Sequence, residues 1–565
     1  MPKRKRRRLS IDKPAVESRF DLSAQKRFIA LVILLLVGII CTNLIFPLLA
    51  LFRKAVDFEP FYQGFISTLS SRSTLTSLWN SVKVSFVSTI ISIVAAFFFG
   101  YIIEFKLSQK LKRVFRFFSI LPMLVPSITH GIVIVYLFGR QGIVTHLLGV
   151  QLPIYGPLGI VLGSFFYSFS LAFLVFSQAF INLDGRLFEN AQVLGVKPFR
   201  RFFSIVLPLM RYAVFSAFVV CFTMIFTDYG VPLSVGGTYP ILPLQFYKNV
   251  IGLLDFSTGA IYGILILLPT VILYFFDIFY FSRKQHTSKT NVIEVRTGRF
   301  HPAQVVFFAA GCMIISVVVA IVIITPFIRA WPYDTSLTLA HFERFAKAGA
   351  LRRLIANSVI ISLATGLFGS VVSLFAGYMY VRDPNGLKPG KQLMHGLYMT
   401  ALAIPGLALG LSYALFFRRT FFYNTIALMV IVNVIHFLGS PYMMAVSHFK
   451  MLNPNLEAIC RTLGGNYFHV FIDVIIPNSK KMLLDIFVYF FTNTMVTISA
   501  ISMLYSSRSM TLSLQITAYN GQGMLESALA VSLIILLINV CMKALQSFKL
   551  DKAGDKASTF FVEEE

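Results

Sequence analysis

Long apolar runs separated by short polar segments dominate this chain. The runs are continuous rather than alternating, which predicts helices and argues against the period-two pattern of membrane strands. A helix of about 20 apolar residues crosses a bilayer core of about 30 Å. Runs of that order lie at 28–52, 81–104, 114–139, 157–181, 212–235, 257–281, 304–330, 358–380, 394–417, 424–449, 482–504 and 526–546. The first is too long for a signal-peptide core and has no small-residue cleavage site after it, so it reads as a retained span. The prediction is an all-α polytopic membrane protein with about twelve transmembrane helices.

The pattern repeats. Asn80-Ser81-Val82 leads to Gly100-Tyr101, and Asn357-Ser358-Val359 leads to Gly377-Tyr378 over the same distance. Pro126 precedes Gly131 as Pro405 precedes Gly410. Order and sense are kept, so the chain reads as two tandem six-helix repeats of one orientation, related by an axis along the membrane normal. The predicted layout is a basic cytoplasmic tail at 1–27, a first repeat at 28–281 with its core at 76–279, and a linker at 282–303. A second repeat follows at 304–547, with its core at 353–546, and then a tail at 548–565.

Composition supports lipid over water. Hydrophobic residues make up 56% and charged ones 13%, with a mean hydropathy of +0.76. A soluble protein carries about a quarter charged residues. The net charge of +26 would suggest nucleic acid in a soluble chain. Here Lys and Arg mark cytoplasmic loops, and the run Lys3-Arg4-Lys5-Arg6-Arg7-Arg8 anchors the first span from inside. Both termini are then expected in the cytoplasm of a multi-pass inner-membrane protein, with lipid but no nucleic acid as a partner. The five cysteines are scattered without metal-ligand spacing, so neither disulfides nor a metal cluster is expected. No G-x4-G-K-[ST] phosphate loop and no nucleophile elbow occurs. The chain has no apparent means of hydrolysing ATP and is not expected to be an enzyme.

Two polar interruptions carry candidate chemistry. The first is Glu189-Asn190-Ala191-Gln192-Val193-Leu194-Gly195, followed by Ile205, Leu207 and Pro208. The second is Glu457-Ala458-Ile459-Cys460-Arg461-Thr462-Leu463-Gly464, with Val474, Ile476 and Pro477 at the matching places. Gly195 and Pro208 are as far apart as Gly464 and Pro477. The glycine permits a sharp turn, and the proline suits the first turn of the next span. Each stretch therefore predicts a helix–turn–helix on the cytoplasmic side. Small Ala191 would admit a partner closely, and Glu189 would offer it a charge.

The pattern Glu-x-Ala-x3-Gly-x9-Ile-x-Leu-Pro resembles the cytoplasmic coupling loop of binding-protein-dependent ABC importer permeases. Glu189, Ala191, Gly195, Ile205, Leu207 and Pro208 match it. In the second copy Ala458 stands where the glutamate falls, and Glu457 comes one position earlier. The resemblance covers both repeats. It implies a type-1-like permease fold and two partner ATP-binding cassette subunits that dock on the loops and carry ATP-Mg. It also implies an extracytoplasmic substrate-binding protein and no cofactor on this chain. Single chains with two such halves are similar to the ferric-iron, thiamine, polyamine and 2-aminoethylphosphonate permeases. The strings Phe226-Thr227-Asp228-Tyr229-Gly230-Val231-Pro232 and Met495-Val496-Thr497-Ile498-Ser499-Ala500 point to the ferric-iron and aminoethylphosphonate branch. Ferric iron is the first expectation and aminoethylphosphonate the second.

Ionisable groups within spans are expensive and usually functional. Asp228 and Tyr229 are candidates for a substrate path, with Asn493, Thr494 and Thr497 on the facing wall. Two readings of Asp228 stay open: it lines the path, or it caps a span that ends early. His130 and His436 lie in spans and read as core histidines. The rival function is an ion-coupled secondary transporter with two six-helix halves. It would require several intramembrane acids and would leave the paired loops without a task.

Overall fold

The computed structural model describes residues 19–56, 61–276, 302–347, 350–382, 388–465 and 467–560. The basic run at 3–8 and nearly all of the linker lie outside the described residues. Among the described residues, nine helices are long and apolar enough to cross a membrane, or up to eleven if two bent pairs count as spans. The protein is an all-α polytopic membrane protein, apart from one short ribbon among the described residues. In that ribbon Ile328–Ala330 pairs antiparallel with Asp334–Leu337, so the apolar run predicted as a span to residue 330 leaves the helix at Ile324. The last helix, Leu525–Phe560, continues well past the predicted end of the second repeat.

The predicted spans differ from the observed helices where polar breaks interrupt apolar runs. The run 482–504 forms a 17-residue helix, Lys480–Val496, and the chain then folds back in turns through Leu504. The run 212–235 forms Leu207–Thr227 and a separate short helix, Gly230–Val235. The run 114–139 is broken between Gln109–Ile120 and Ser127–Phe138, where Pro126 lacks an N–H to continue the ladder. In the second half Pro389–Ala403 meets Gly406–Phe417 at 111°, and Ile426–Phe437 meets Gly439–Met451 at 56°.

The sequence repeat is also a structural repeat. Asn80 donates to the Pro240 carbonyl at 3.0 Å, and the Leu242 N–H donates to the Ser81 hydroxyl at 2.8 Å. Asn357 donates to the Met510 carbonyl at 2.9 Å, and the Leu512 N–H donates to the Ser358 hydroxyl at 2.8 Å. In each half a polar Asn-Ser pair thus pins the re-entrant segment that follows the broken helix.

The halves are interlocked rather than side by side. The first span packs on helices of the second half, where Tyr413 donates to the Asn43 carbonyl at 2.5 Å. Helix Pro302–Ile324, the leading span of the second half, packs on Arg72–Lys106, with the Phe99 and Phe308 rings stacked at 4.9 Å. The last helix reaches back as well, and Asn539 donates to the Leu124 carbonyl at 2.9 Å. The two repeats therefore share a large core, beside a second, phenylalanine-rich cluster around Phe97, Phe173 and Phe180 in the first repeat.

Candidate functional site

The two polar interruptions fold alike. Helix Gly185–Val193 ends at Gly195, whose φ is +67°, and helix Asn455–Thr462 ends at Gly464, whose φ is +84°. A residue with a Cβ is strained in that left-handed region. The Val196 N–H donates to the Ala191 carbonyl at 2.9 Å, and the Gly465 N–H donates to the Cys460 carbonyl at 2.9 Å. These are the backbone bonds of a Schellman stop, which satisfies carbonyls left open at a helix end. Each loop re-enters the membrane domain through a π-helical turn, Phe202–Val206 in one and Val470–Ile475 in the other. Those turns bring Ile205 and Val474 to the entry of the next helix, with Leu207 and Pro208, or Ile476 and Pro477, at its start.

Apolar side chains project from both turns. Leu194 is 79% exposed and Leu463 82%, with Val193, Phe199, Ile459 and Phe468 also exposed. The glutamates differ. Glu189 faces solvent, as does Ala458 at the matching place in the second loop. Glu457 is buried. It accepts a hydrogen bond from the Tyr378 hydroxyl at 3.2 Å and pairs with Arg382 at 3.5 Å. Arg382 also donates to the Leu452 carbonyl. Ala191 does not lie open to a partner as expected: it sits on the buried face of helix Gly185–Val193, as Phe188 does. Sequence reading missed Arg382. It also missed the buried Glu104, which accepts from Arg116 at 2.7 Å and Ser177 at 2.7 Å. A carboxylate at the end of a long apolar run, with an arginine 12 residues on in the next helix, was the available signal.

Between the halves lies a partly open cavity of about 500 Å³. Asp228, Tyr229, Asn493 and Thr497 line it, and Thr494 does not. Thr494 is instead buried among neighbouring helices. Asp228 lines this cavity, and it caps the short helix that follows the span and not the span itself. Its carboxylate accepts from the Gly230 N–H at 3.2 Å and the Val231 N–H at 3.0 Å, capping the short helix, and it also faces the cavity. The Ser127 hydroxyl donates to it at 2.6 Å. Tyr229 stacks on Tyr247 at 4.8 Å. His130 is wholly buried away from this wall. His436 lines the wall, and its Nδ1 has no hydrogen-bond partner among the described residues. His436 sits at the end of helix Ile426–Phe437, next to the 56° bend into Gly439–Met451.

The two halves exchange a serine and a glycine at the broken helices. A Cβ on Gly230 would lie 2.4 Å from the Ser127 hydroxyl, and a Cβ on Gly406 would lie 2.3 Å from the Ser499 hydroxyl. Each contact fits one side chain, and the two halves supply it from opposite partners.

Residues 92–285 and 385–548 match the family described as binding-protein-dependent transport system inner membrane component. The chain belongs to this family. It is a transport permease built from two copies of the domain, in a family of multi-pass inner-membrane proteins, and the family is not one of enzymes. The ferric transport system permease protein FbpB of Actinobacillus pleuropneumoniae is 23% identical over 467 residues, covering 79% of this chain and 66% of that protein. The putative ferric transport system permease protein FbpB 1 of Haemophilus influenzae is 23% identical over 511 residues, covering 85% and 78%. The molybdenum transport system permease protein ModB of Mycobacterium tuberculosis is 29% identical over 210 residues, covering 36% of this chain and 76% of its own.

Proposed function

We propose that this chain is the fused transmembrane subunit of an ATP-driven importer. Two ATP-binding cassette subunits, which carry ATP-Mg, dock on the loops at 184–208 and 453–477 from the cytoplasm. An extracytoplasmic binding protein delivers a small cargo to the opposite face. The chain itself holds no cofactor, and both termini are cytoplasmic. Closure of the ATPases moves the two loops, and the interlocked core passes that motion to the cavity.

The pair of equivalent loops carries this reading. Each is a tight turn that presents apolar side chains to water, which supports a protein docking role. Ferric iron is the first cargo proposed, supported by the names of the two long relatives, and 2-aminoethylphosphonate is the second. The test is ATP-dependent uptake in proteoliposomes that contain the permease, its ATPases and its binding protein. Deletion of residues 186–196 is expected to abolish uptake while the protein still inserts. Uptake that persists without that segment, or without ATP, would contradict the reading.

A further inference from the structure

We propose that the face opposite the two ATPase-docking loops carries a patch that receives an acidic rim of the extracytoplasmic binding protein, built where the halves meet from the loops at 248–254 and 418–424. The proposal rests on the importer reading above and adds where that partner sits and which sign of charge it brings.

The two loops come from different halves and stand at one end of the same seam. Helix Phe256–Phe276 follows the first loop, and helix Gly406–Phe417 precedes the second. These helices pack together, and a Cβ on Gly259 would lie 3.7 Å from the Leu411 side chain. A third segment joins them, since the Ser506 hydroxyl donates to the Asn424 carbonyl at 3.4 Å.

Both loops are anchored at the base and apolar at the tip. Val250 is buried in the space that Gly259 leaves open, while Leu253 and Leu254 beyond it are exposed. Phe422 and Tyr423 pack against the core, while Phe421 is 82% exposed. Leu254 has a φ of +56° and Asn424 a φ of +61°, and among the described residues these are the two non-glycine residues in the left-handed region. Such backbone is costly for a residue with a Cβ and clusters at functional sites.

The charge around the tips has one sign. Lys248, Arg418, Arg419 and Arg508 are exposed. The carboxylate of Asp255 is already engaged, accepting from the Ser257 N–H at 3.2 Å and the Thr258 N–H at 3.0 Å. Lys and Arg are expected to favour the cytoplasmic loops, so a cluster on the opposite face calls for its own cause. Apolar tips within a charged rim are the anatomy of a protein interface.

The other seam shows what this one lacks. By the spacing of Pro126 and Pro405, the place of Arg418 in the first half is Gly139. There the ribbon after helix Pro302–Ile324 ties the halves together. The Trp331 indole N–H donates to the Gln141 carbonyl at 2.7 Å, and the Trp331 backbone N–H donates to the Glu526 carboxylate at 3.2 Å. Residues 325–339 supply that ribbon, whereas residues 57–60 alone separate Val56 from Phe61 in the first half. The first half lacks the length for a like ribbon, and the binding protein takes its place.

The experiment uses the full complex in nanodiscs, titrated with its own cargo-loaded binding protein. It reads the concentration at which stimulated ATP hydrolysis is half-maximal. Arg418→Glu with Arg419→Glu is expected to raise that concentration about tenfold, with basal hydrolysis and melting temperature unchanged. Added salt should narrow the gap between this variant and the wild type. Leu253→Ser with Leu254→Ser should raise the concentration too, and keep the wild-type dependence on salt. A photo-crosslinking amino acid at position 421 should capture the binding protein. The titrations are run in phosphatidylcholine alone and with phosphatidylglycerol added. Unchanged half-maximal concentrations in both variants, or no capture at position 421, would overturn the proposal. A gap that appears only with phosphatidylglycerol would overturn it in favour of an anionic lipid at the patch. A wild-type complex that the binding protein fails to stimulate would overturn the importer reading itself, and the proposal with it.

Discussion

The two docking loops share a backbone and differ in what holds them down. In the first, Phe188 sits under the loop against Phe105, with ring centroids 5.3 Å apart. In the second, the matching places hold Glu457 and Arg382, an ion pair whose side chains are 10% and 8% exposed. One loop is fastened by aromatic packing and the other by buried charge. A buried ion pair contributes little net stability against apolar packing but is costly to break, because the remaining charge is stranded. The second loop is therefore the more sensitive to a single substitution, while the first presents the free carboxylate, Glu189, to its partner.

Arg382→Ala should have the largest effect. It strands Glu457 and is expected to cost about 3–5 kcal/mol. The check is the melting temperature of the purified protein, together with hydrogen exchange across 453–465. Replacing both partners with apolar residues should recover most of the loss, and equal damage from the single and double variants would break the comparison. Gly195→Ala and Gly464→Ala come next, at about 1–2 kcal/mol each from left-handed backbone strain. Nothing lies within 4 Å of a Cβ at either glycine, so the two losses should match. Unequal losses would mean that the turns are not equivalent. Phe188→Leu should follow at about 1 kcal/mol, since it keeps most of the apolar volume. Glu189→Lys should leave the melting temperature unchanged, because the side chain is solvated, while weakening ATPase capture in pull-downs.

Much of this arrangement is legible in the sequence. The left-handed turns follow from Gly195 and Gly464, and the Asn-Ser pairs that mark the repeat also make equivalent hydrogen bonds. The orientation of Glu457 is a matter of helix geometry. A shift of one position turns a side chain about 100° around the axis, so the early glutamate points inward where Glu189 points out. Reading the second loop by likeness alone hides that rotation. Hydropathy likewise extends the run 482–504 beyond Val496, because Ile498, Ala500 and Ile501 are as apolar in a buried turn as in a span. The interlocking of the halves leaves no local trace, since each leading span needs only an apolar surface wherever it packs. Asp228 was visible as a charge in an apolar run, but its serine partner lies a hundred residues away and only the fold brings them together.

The most direct test of the docking account is co-purification of the ATP-binding subunits with wild-type, Glu189→Lys and Glu457→Gln permease, read beside ATP-driven uptake. Glu189→Lys is expected to lose captured ATPase and uptake with an unchanged melting temperature, whereas Glu457→Gln should lose them only together with a lowered melting temperature. Full ATPase capture and full uptake by both variants would contradict the assignment of these loops as the docking site.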